Sequence, residues 1–318
     1  MDNRSYVGVL FIGDPHMAGA ALGFRKDAYP QVILRKLKWC LDYARTERLL
    51  PALLGDLFEF PRDNANWLLG ELFLLLAQHE VIGIYGNHDV HENQIGDDDS
   101  LSVLAKGGVI RLLDNDHPWQ GIMAGRSVIV GGTAWGQWLP DSYDCELGTS
   151  ATPLVFWMAH HDVKVPGYEE QGRLGAKEIH GIELVVNGHI HRRLVEHRVG
   201  NTLWVTPGNI SRTKRSDVSR EHVPAVLRVD VGAAGWQHQW VVVPHEPFDS
   251  VFHAGIEADA PDELTGSVFV QGLAELEARR TDTGAGLMEF IEKNVGTFEP
   301  AVAGEILSLA KEVTSNGN

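Results

Sequence analysis

Five apolar runs in this chain end on metal-ligand residues. Residues 7–12 run into Gly13-Asp14-Pro15-His16, 52–54 into Gly55-Asp56, and 81–85 into Gly86-Asn87-His88-Asp89. Residues 154–159 run into His160-His161, and 182–186 into Asn187-Gly188-His189-Ile190-His191. Alone, an Asp-x-His turn, a Gly-Asp strand end or a His-His pair is ordinary. Five together are not, because open α/β sheets bind ligands outside the carboxyl ends of their strands. The strands must therefore lie side by side with these ends at one edge, which makes that edge a site.

The spacing between the runs supports such a fold. Val32, Leu37, Cys40, Leu41 and Ala44 form one helical stripe, and Trp67, Leu68, Leu72, Leu75 and Leu76 another. Helices are expected over 31–48 and 64–79, completing βαβαβ. Strand candidates then come faster, at 109–113, 127–130, 154–159, 182–186, 203–206, 225–231 and 236–243. The expectation is an α/β fold in which two packed sheets carry helices outside. Residues 1–245 form the core domain and 246–318 an acidic, mainly helical extension, with helical spacing over 270–279, 287–293 and 302–313.

No apolar stretch approaches a bilayer span, and MDNRSY lacks the basic and apolar regions of a signal peptide, so no membrane partner and a cytoplasmic location are expected. Cys40 and Cys145 read as reduced thiols. The formal charge of −16 disfavours a polyanionic partner, yet it is unevenly spread. Residues 246–318 hold 14 acidic and 4 basic residues, whereas 192–220 hold 7 basic and 2 acidic.

Imidazole, carboxylate and amide ligands without thiolate suit manganese, iron or zinc rather than a sulfur-rich structural zinc site. One carboxylate between two histidine-rich half-sites can bridge two ions roughly 3.5–4 Å apart, an arrangement suited to in-line displacement at phosphorus. Alternation in Gly188-His189-Ile190-His191 would put both histidines on one side of an extended chain, one for each ion.

Taken in order, Asp14-x-His16, Gly55-Asp56, Gly86-Asn87-His88-Asp89, His160 and Gly188-His189-x-His191 resemble the motif set of the calcineurin-like metallophosphoesterase superfamily. The resemblance implies an αββα sandwich of two mixed β-sheets flanked by helices, with two divalent metal ions at the sheet edges. Manganese is the expected ion, with iron, zinc or magnesium as substitutes. Asp14, His16 and His191 would hold one ion, Asn87, His160 and His189 the other, and Asp56 would bridge. His88 would be the general acid, protonating a leaving alkoxide while water shared by the ions attacks. Asn87 would ligate through a neutral oxygen. His160 is the expected ligand of its pair, which leaves His161 to face substrate. Glu59 either orients His88 or is an ordinary surface glutamate. Asp89 reads as a brace, and His91, Glu92 and Asn93 either line the substrate side or cover the loop.

Three stretches, DPHMAGAALGFRKDAYPQVILRKLKWCLDYA, GDLFEF and WVTPGNISRTKRSD, resemble SbcD-type DNA repair nucleases, with Asn209 where the nucleases carry serine. That resemblance implies a phosphodiester hydrolase acting on DNA, an ATPase or other repair protein as partner, and room for a homo-oligomer. The basic segment would then lie near the metals, with Arg212 contacting phosphate. One alternative is a phosphodiesterase or phosphatase for a nucleotide or other small ester. Another, of a different class, is a noncatalytic interaction module, which should have lost ligands or His88.

Overall fold

The computed structural model describes residues 5–20, 22, 25–144, 152–253, 304 and 307. The first half runs β1 (Gly8–Ile12), α1 (Tyr29–Thr46), β2 (Leu49–Leu53), α2 (Asn66–Leu76), β3 (Ile82–Gly83), α3 (Ser100–Lys106) and β4 (Arg111–Leu112). Next come β5 (Trp119–Met123), β6 (Arg126–Thr133), β7 (Leu154–Ala159), β8 (Val163–Lys164), β9 (Leu174–Gly175) and β10 (Leu184–Asn187). The unit closes with β11 (His197–Val199), β12 (Thr202–Val205), α4 (Asp217–Glu221), β13 (Ala225–Gly232), β14 (Gly235–Val242) and α5 (Phe248–Val251).

Two mixed six-stranded sheets form, ordered β14-β13-β1-β2-β3-β4 and β11-β12-β10-β7-β6-β5, with helices flanking them. The first is antiparallel from β14 to β1 and parallel from β1 to β4, and the second has a parallel centre with an antiparallel pair at each edge. Strand periodicity assigns the faces. On β7, Leu154, Phe156 and Met158 join the large core with β1 and β2, while Val155, Trp157 and Ala159 join a separate cluster. That second cluster takes Val163, Val165, Ile179 and Ile182, so the segment carrying β8 and β9 closes the outer face of the second sheet. β1 is buried on both faces, as its unbroken apolar run requires. α1 packs on β1 and β2, starting with Pro30 in its first turn, where a missing N–H costs nothing.

Several expectations need adjusting. Trp67 is 44% exposed, because the buried stripe of α2 consists of Leu68, Leu72 and Leu76. An almost wholly apolar helix does not say which face packs. β5, β8, β9, β11 and α3 to α5 went unread, most being too short for periodicity. The chain divides into Met1–Gly255 and Ile256–Asn318, ten residues beyond the expected boundary. The helices expected over 270–279, 287–293 and 302–313 lie outside the described residues, apart from Gly304 and Leu307, both helical.

The stretch after β14 belongs to the first unit because Arg212 and Arg25 hold it. The Arg212 guanidinium is buried, donating Nε and Nη2 to the His222 carbonyl at 3.1 and 2.9 Å and Nη1 to the Glu246 carbonyl at 2.9 Å. Arg25 donates to the Arg212 carbonyl and lies 5.3 Å from the Phe252 ring centroid. Arg212 is therefore an internal staple, which overturns its expected role as a phosphate contact. An arginine turned inward needs carbonyl acceptors, and two separate segments supply them.

Arg212→Ala should leave the buried His222 carbonyl unpaired and lower the unfolding free energy by roughly 1–3 kcal/mol in urea titration, with divalent-metal uptake unchanged. His222, which bonds the Asn209 carbonyl at 2.8 Å, is held neutral by burial down to about 4. The unfolded ring takes its proton near 6.5, so the unfolded chain binds more protons between these values. Stability from this residue is full above pH 6.5 and lost as pH falls toward 4, by roughly 3 kcal/mol. His222→Gln should flatten the stability–pH curve in that window by about this amount relative to wild type.

Candidate metal centre

The strand ends turn sharply back over the sheet edge. Of the seven non-glycine residues with positive φ among those described, four are Asp14 (37°), His16 (50°), Asp56 (47°) and His189 (69°). Each such residue costs on the order of 1–3 kcal/mol, strain that collects where side chains must be aimed. Two glycines make the turns possible. A Cβ on Gly55, itself at φ 98°, would lie 2.5 Å from His160 Nδ1, and one on Gly86 would lie 2.1 Å from Asp56 Oδ1.

The turns gather side chains from both sheets. Ligand atoms of His16, Asp56 and His191 lie within 4.8 Å of one another, as do those of Asp56, His160 and His189. Asp56 is common to both trios. His16 Nε2 is 2.8 Å from His191 Nε2 and 3.7 Å from Asp56 Oδ2. His160 Nε2 is 3.3 Å from Asp56 Oδ2, and Asn87 Oδ1 lies 3.2 Å from His160 Nε2 and 2.9 Å from His189 Nδ1. Asp14 stands beside the trios, with Oδ1 accepting the His189 amide at 3.0 Å and lying 3.6 Å from His160 Nδ1.

His189 and His191 fall in different trios, although not by extended alternation. β10 stops at Asn187, and the left-handed turn at His189 separates the two rings. Asp89 is buried and accepts from the amides of Gly86, Leu57 and Phe58 at 2.9, 3.2 and 2.9 Å, a brace between two strand-end loops. Glu59 divides its contacts. Its carboxylate lies 2.9 Å from His16 Nδ1, and its backbone carbonyl accepts from His88 Nδ1 at 2.8 Å. His161, expected to face substrate, is 4% exposed, and its backbone pairs with the Asn187 side chain. Burial, with His160 and His189 nearby, lowers its pKa to about 4 and keeps the ring neutral.

The protonation pattern suits cations. Burial pushes His160 down, but Asp56 and Asp14 more than offset it and raise its pKa to about 9. Burial is likewise overcome at His16 by Glu59, Asp56 and Asp14, again giving about 9. Imidazolium thus balances the buried carboxylates in the ion-free protein, and divalent ions taking those lone pairs must displace the protons. The residues fit such ions on two further grounds. Oδ2 of both Asp14 and Asp56 is buried without a hydrogen-bond partner. Three rings also have their outward nitrogen set against an oxygen, His160 Nδ1 on the Leu54 carbonyl at 2.7 Å, His16 Nδ1 on Glu59 and His189 Nε2 on Asp162 at 2.8 Å. Outer acceptors of this kind orient metal-binding histidines.

Asp162 and Trp135 were missed in the sequence. Asp162 directly follows the His160-His161 pair, and that adjacency was the available signal. The Trp135 ring centroid lies 5.0 Å from that of His189, and nothing in the local sequence marks it.

Residues 8–193 match the family model described as calcineurin-like phosphoesterase. No curated protein sequence matches the chain. Among solved structures, a hypothetical protein from Thermus thermophilus is similar at 13% identity and a TM-score of 0.42, covering 74% of this chain and 99% of that one. A conserved uncharacterized protein from Streptococcus pneumoniae, described as a predicted phosphoesterase, is similar at 12% identity and a TM-score of 0.34, covering 77% and 94%.

Because both trios share Asp56, Asp56→Asn should weaken uptake of every bound divalent ion, whereas His191→Ala and His160→Ala should each weaken one. Metal content after loading and gel filtration, read by elemental mass spectrometry, checks this. Wild-type content in Asp56→Asn would refute the shared role.

Proposed function

The chain belongs to the calcineurin-like phosphoesterases, and from that premise we propose a metal-dependent phosphodiester hydrolase acting on DNA, with His88 as general acid. The observation that carries the hydrolase reading is the carboxylate of Asp56 standing between two histidine pairs, His16 with His191 and His160 with His189. Divalent ions, manganese first by the oxygen and imidazole donors present, would be held by Asp14, His16, Asp56, Asn87, His160, His189 and His191. When bound they supply a polarised phosphoryl oxygen and an acidified water.

The chain's own groups do the rest. The His88 amide donates to Asp56 Oδ1 at 2.8 Å, which ties the placement of His88 to the shared carboxylate. Its Nδ1–H is spent on the Glu59 carbonyl, so Nε2 is the atom left to carry the proton to a departing alkoxide. The ring meets His16 edge-on at 4.9 Å between centroids, which holds it beside the cluster. Asn87 offers both neighbouring imidazoles an oxygen without adding charge. A noncatalytic module is disfavoured, since none of the seven candidate ligands is missing from the chain and His88 is retained.

DNA as substrate, with a repair ATPase as partner and the cytoplasm as location, rests on the SbcD-like stretches and on the exposed Lys214 with neighbouring Arg215. No helix among the described residues is long and apolar enough to cross a membrane. One observation favours a small phosphate ester instead, because several side chains of the basic segment already have partners within the chain. Arg212 is buried, Arg192 donates to the Gly167 carbonyl, Arg193 lies over Trp240 and Arg220 pairs with Asp249.

A manganese-supplemented assay of circular and linear single- and double-stranded DNA against aryl mono- and diesters, with Asp56→Asn as blank, separates these readings. DNA cleavage above the blank is the expected result, and ester turnover without it assigns the small-ester reading. His88→Ala should retain its metal and lose roughly 10²–10⁴-fold in rate on esters with poor leaving groups, with activated aryl esters spared. Equal losses on both would refute the acid role.

A further inference from the structure

We propose that Asp162 is a positioning residue for one half of the metal centre, fixing the His189 ring so that Nδ1 faces the ions. This rests on the reading that the Asp56, His160 and His189 trio holds metal. The two ring nitrogens of His189 face different partners, Nδ1 lying 2.9 Å from Asn87 Oδ1 and Nε2 2.8 Å from Asp162 Oδ1. A carboxylate can only accept there, so Nε2 carries a hydrogen toward Asp162. Asn87 Oδ1 is likewise an acceptor, so the Nδ1 position it faces in the ion-free protein is the one that a bound ion would take over. The Trp135 ring, tilted 33° at 5.0 Å, limits rotation of the imidazole.

Asp162 is itself held. Its backbone carbonyl accepts the amides of Arg173 and Leu174 at 2.8 and 2.9 Å, closing the loop between the paired β8 and β9. Tyr168 Oη donates to Oδ1 at 3.3 Å, and Arg173 Nε stands 3.5 Å from Oδ2. Only 14% of the Asp162 side chain is exposed. Burial opposes its charge, yet the hydrogen bond and charge of His189 hold its pKa below the ordinary carboxylate value. The Arg173 contact does not account for this placement, because the Arg173 side chain is 65% exposed and could pair in solvent. The two trios are also parallel in construction. Each has one carboxylate-backed imidazole, His16 with Glu59 and His189 with Asp162, and of the other two rings His160 is backed by a neutral carbonyl. A carboxylate acceptor raises ligand basicity, and its loss costs about 10–100-fold in metal affinity.

The test titrates Mn²⁺ into ion-free wild type, Asp162→Asn and Tyr168→Phe by calorimetry, with the ion-free thermal midpoint of each as the fold control. In Asp162→Asn one binding step should keep the wild-type Kd and the other weaken about 10–100-fold, with an unchanged midpoint. Tyr168→Phe, which removes only the outer hydrogen bond, should weaken the same step severalfold and keeps the question decidable if Asp162→Asn does not fold. Unchanged steps in the folded variants, or equal weakening of both steps, would overturn the assignment. Wild type that takes up no Mn²⁺ would overturn the metal reading underneath, a distinguishable failure that removes this inference as well.

Discussion

Burying three carboxylates at one sheet edge is the constraint around which this protein is arranged. Asp14, Asp56 and Asp89 are 0%, 1% and 0% exposed, and uncompensated charge so deep is expensive. The three are treated differently. Asp89 has both oxygens bonded to backbone amides, and burial together with the nearby Asp56 charge raises its pKa to about 7. Asp14 and Asp56 are each satisfied on Oδ1, by the amides of His189 and His88, while Oδ2 stays unbonded. Half-satisfied acids beside imidazoles are what a cation site requires, and the fully bonded acid ties together the loops that present them.

That arrangement explains where strain was accepted. Left-handed backbone at Asp14, His16, Asp56 and His189 turns the chain back at three strand ends. The compensation comes from β1, β2, β7 and β10, which are buried along their whole length and anchor the turns from below.

The strand-end residues were legible because each ligand sits next to an apolar run in the sequence, so local order carries the information. Partnerships across the fold were not. Glu59 was expected to orient His88 or lie on the surface, and instead its carboxylate reaches His16, a choice made by the left-handed turn at His16 rather than by spacing. Arg212 lies in a basic cluster that reads as a polyanion contact, but basic residues can also bind carbonyls, and only the path of 222 and 246 reveals that they do. His161 differs from His160 by one position beyond the end of β7, and only the packing there shows that it is covered. Short pairings such as β8 with β9, which locate Asp162, lack enough residues for any period to appear.

The centre draws Asp14, Asp56, Asn87 and His88 from the first sheet and His160, His189 and His191 from the second. Neither layer holds the set alone. The hydrophobic residues interleaved between them, among them Val9, Phe11, Phe156 and Met158, therefore act as a caliper. A methylene gained or lost in that filling would change the gap that the opposing imidazoles and acids must span, so the oily interior sets the tolerances of the chemistry at its rim.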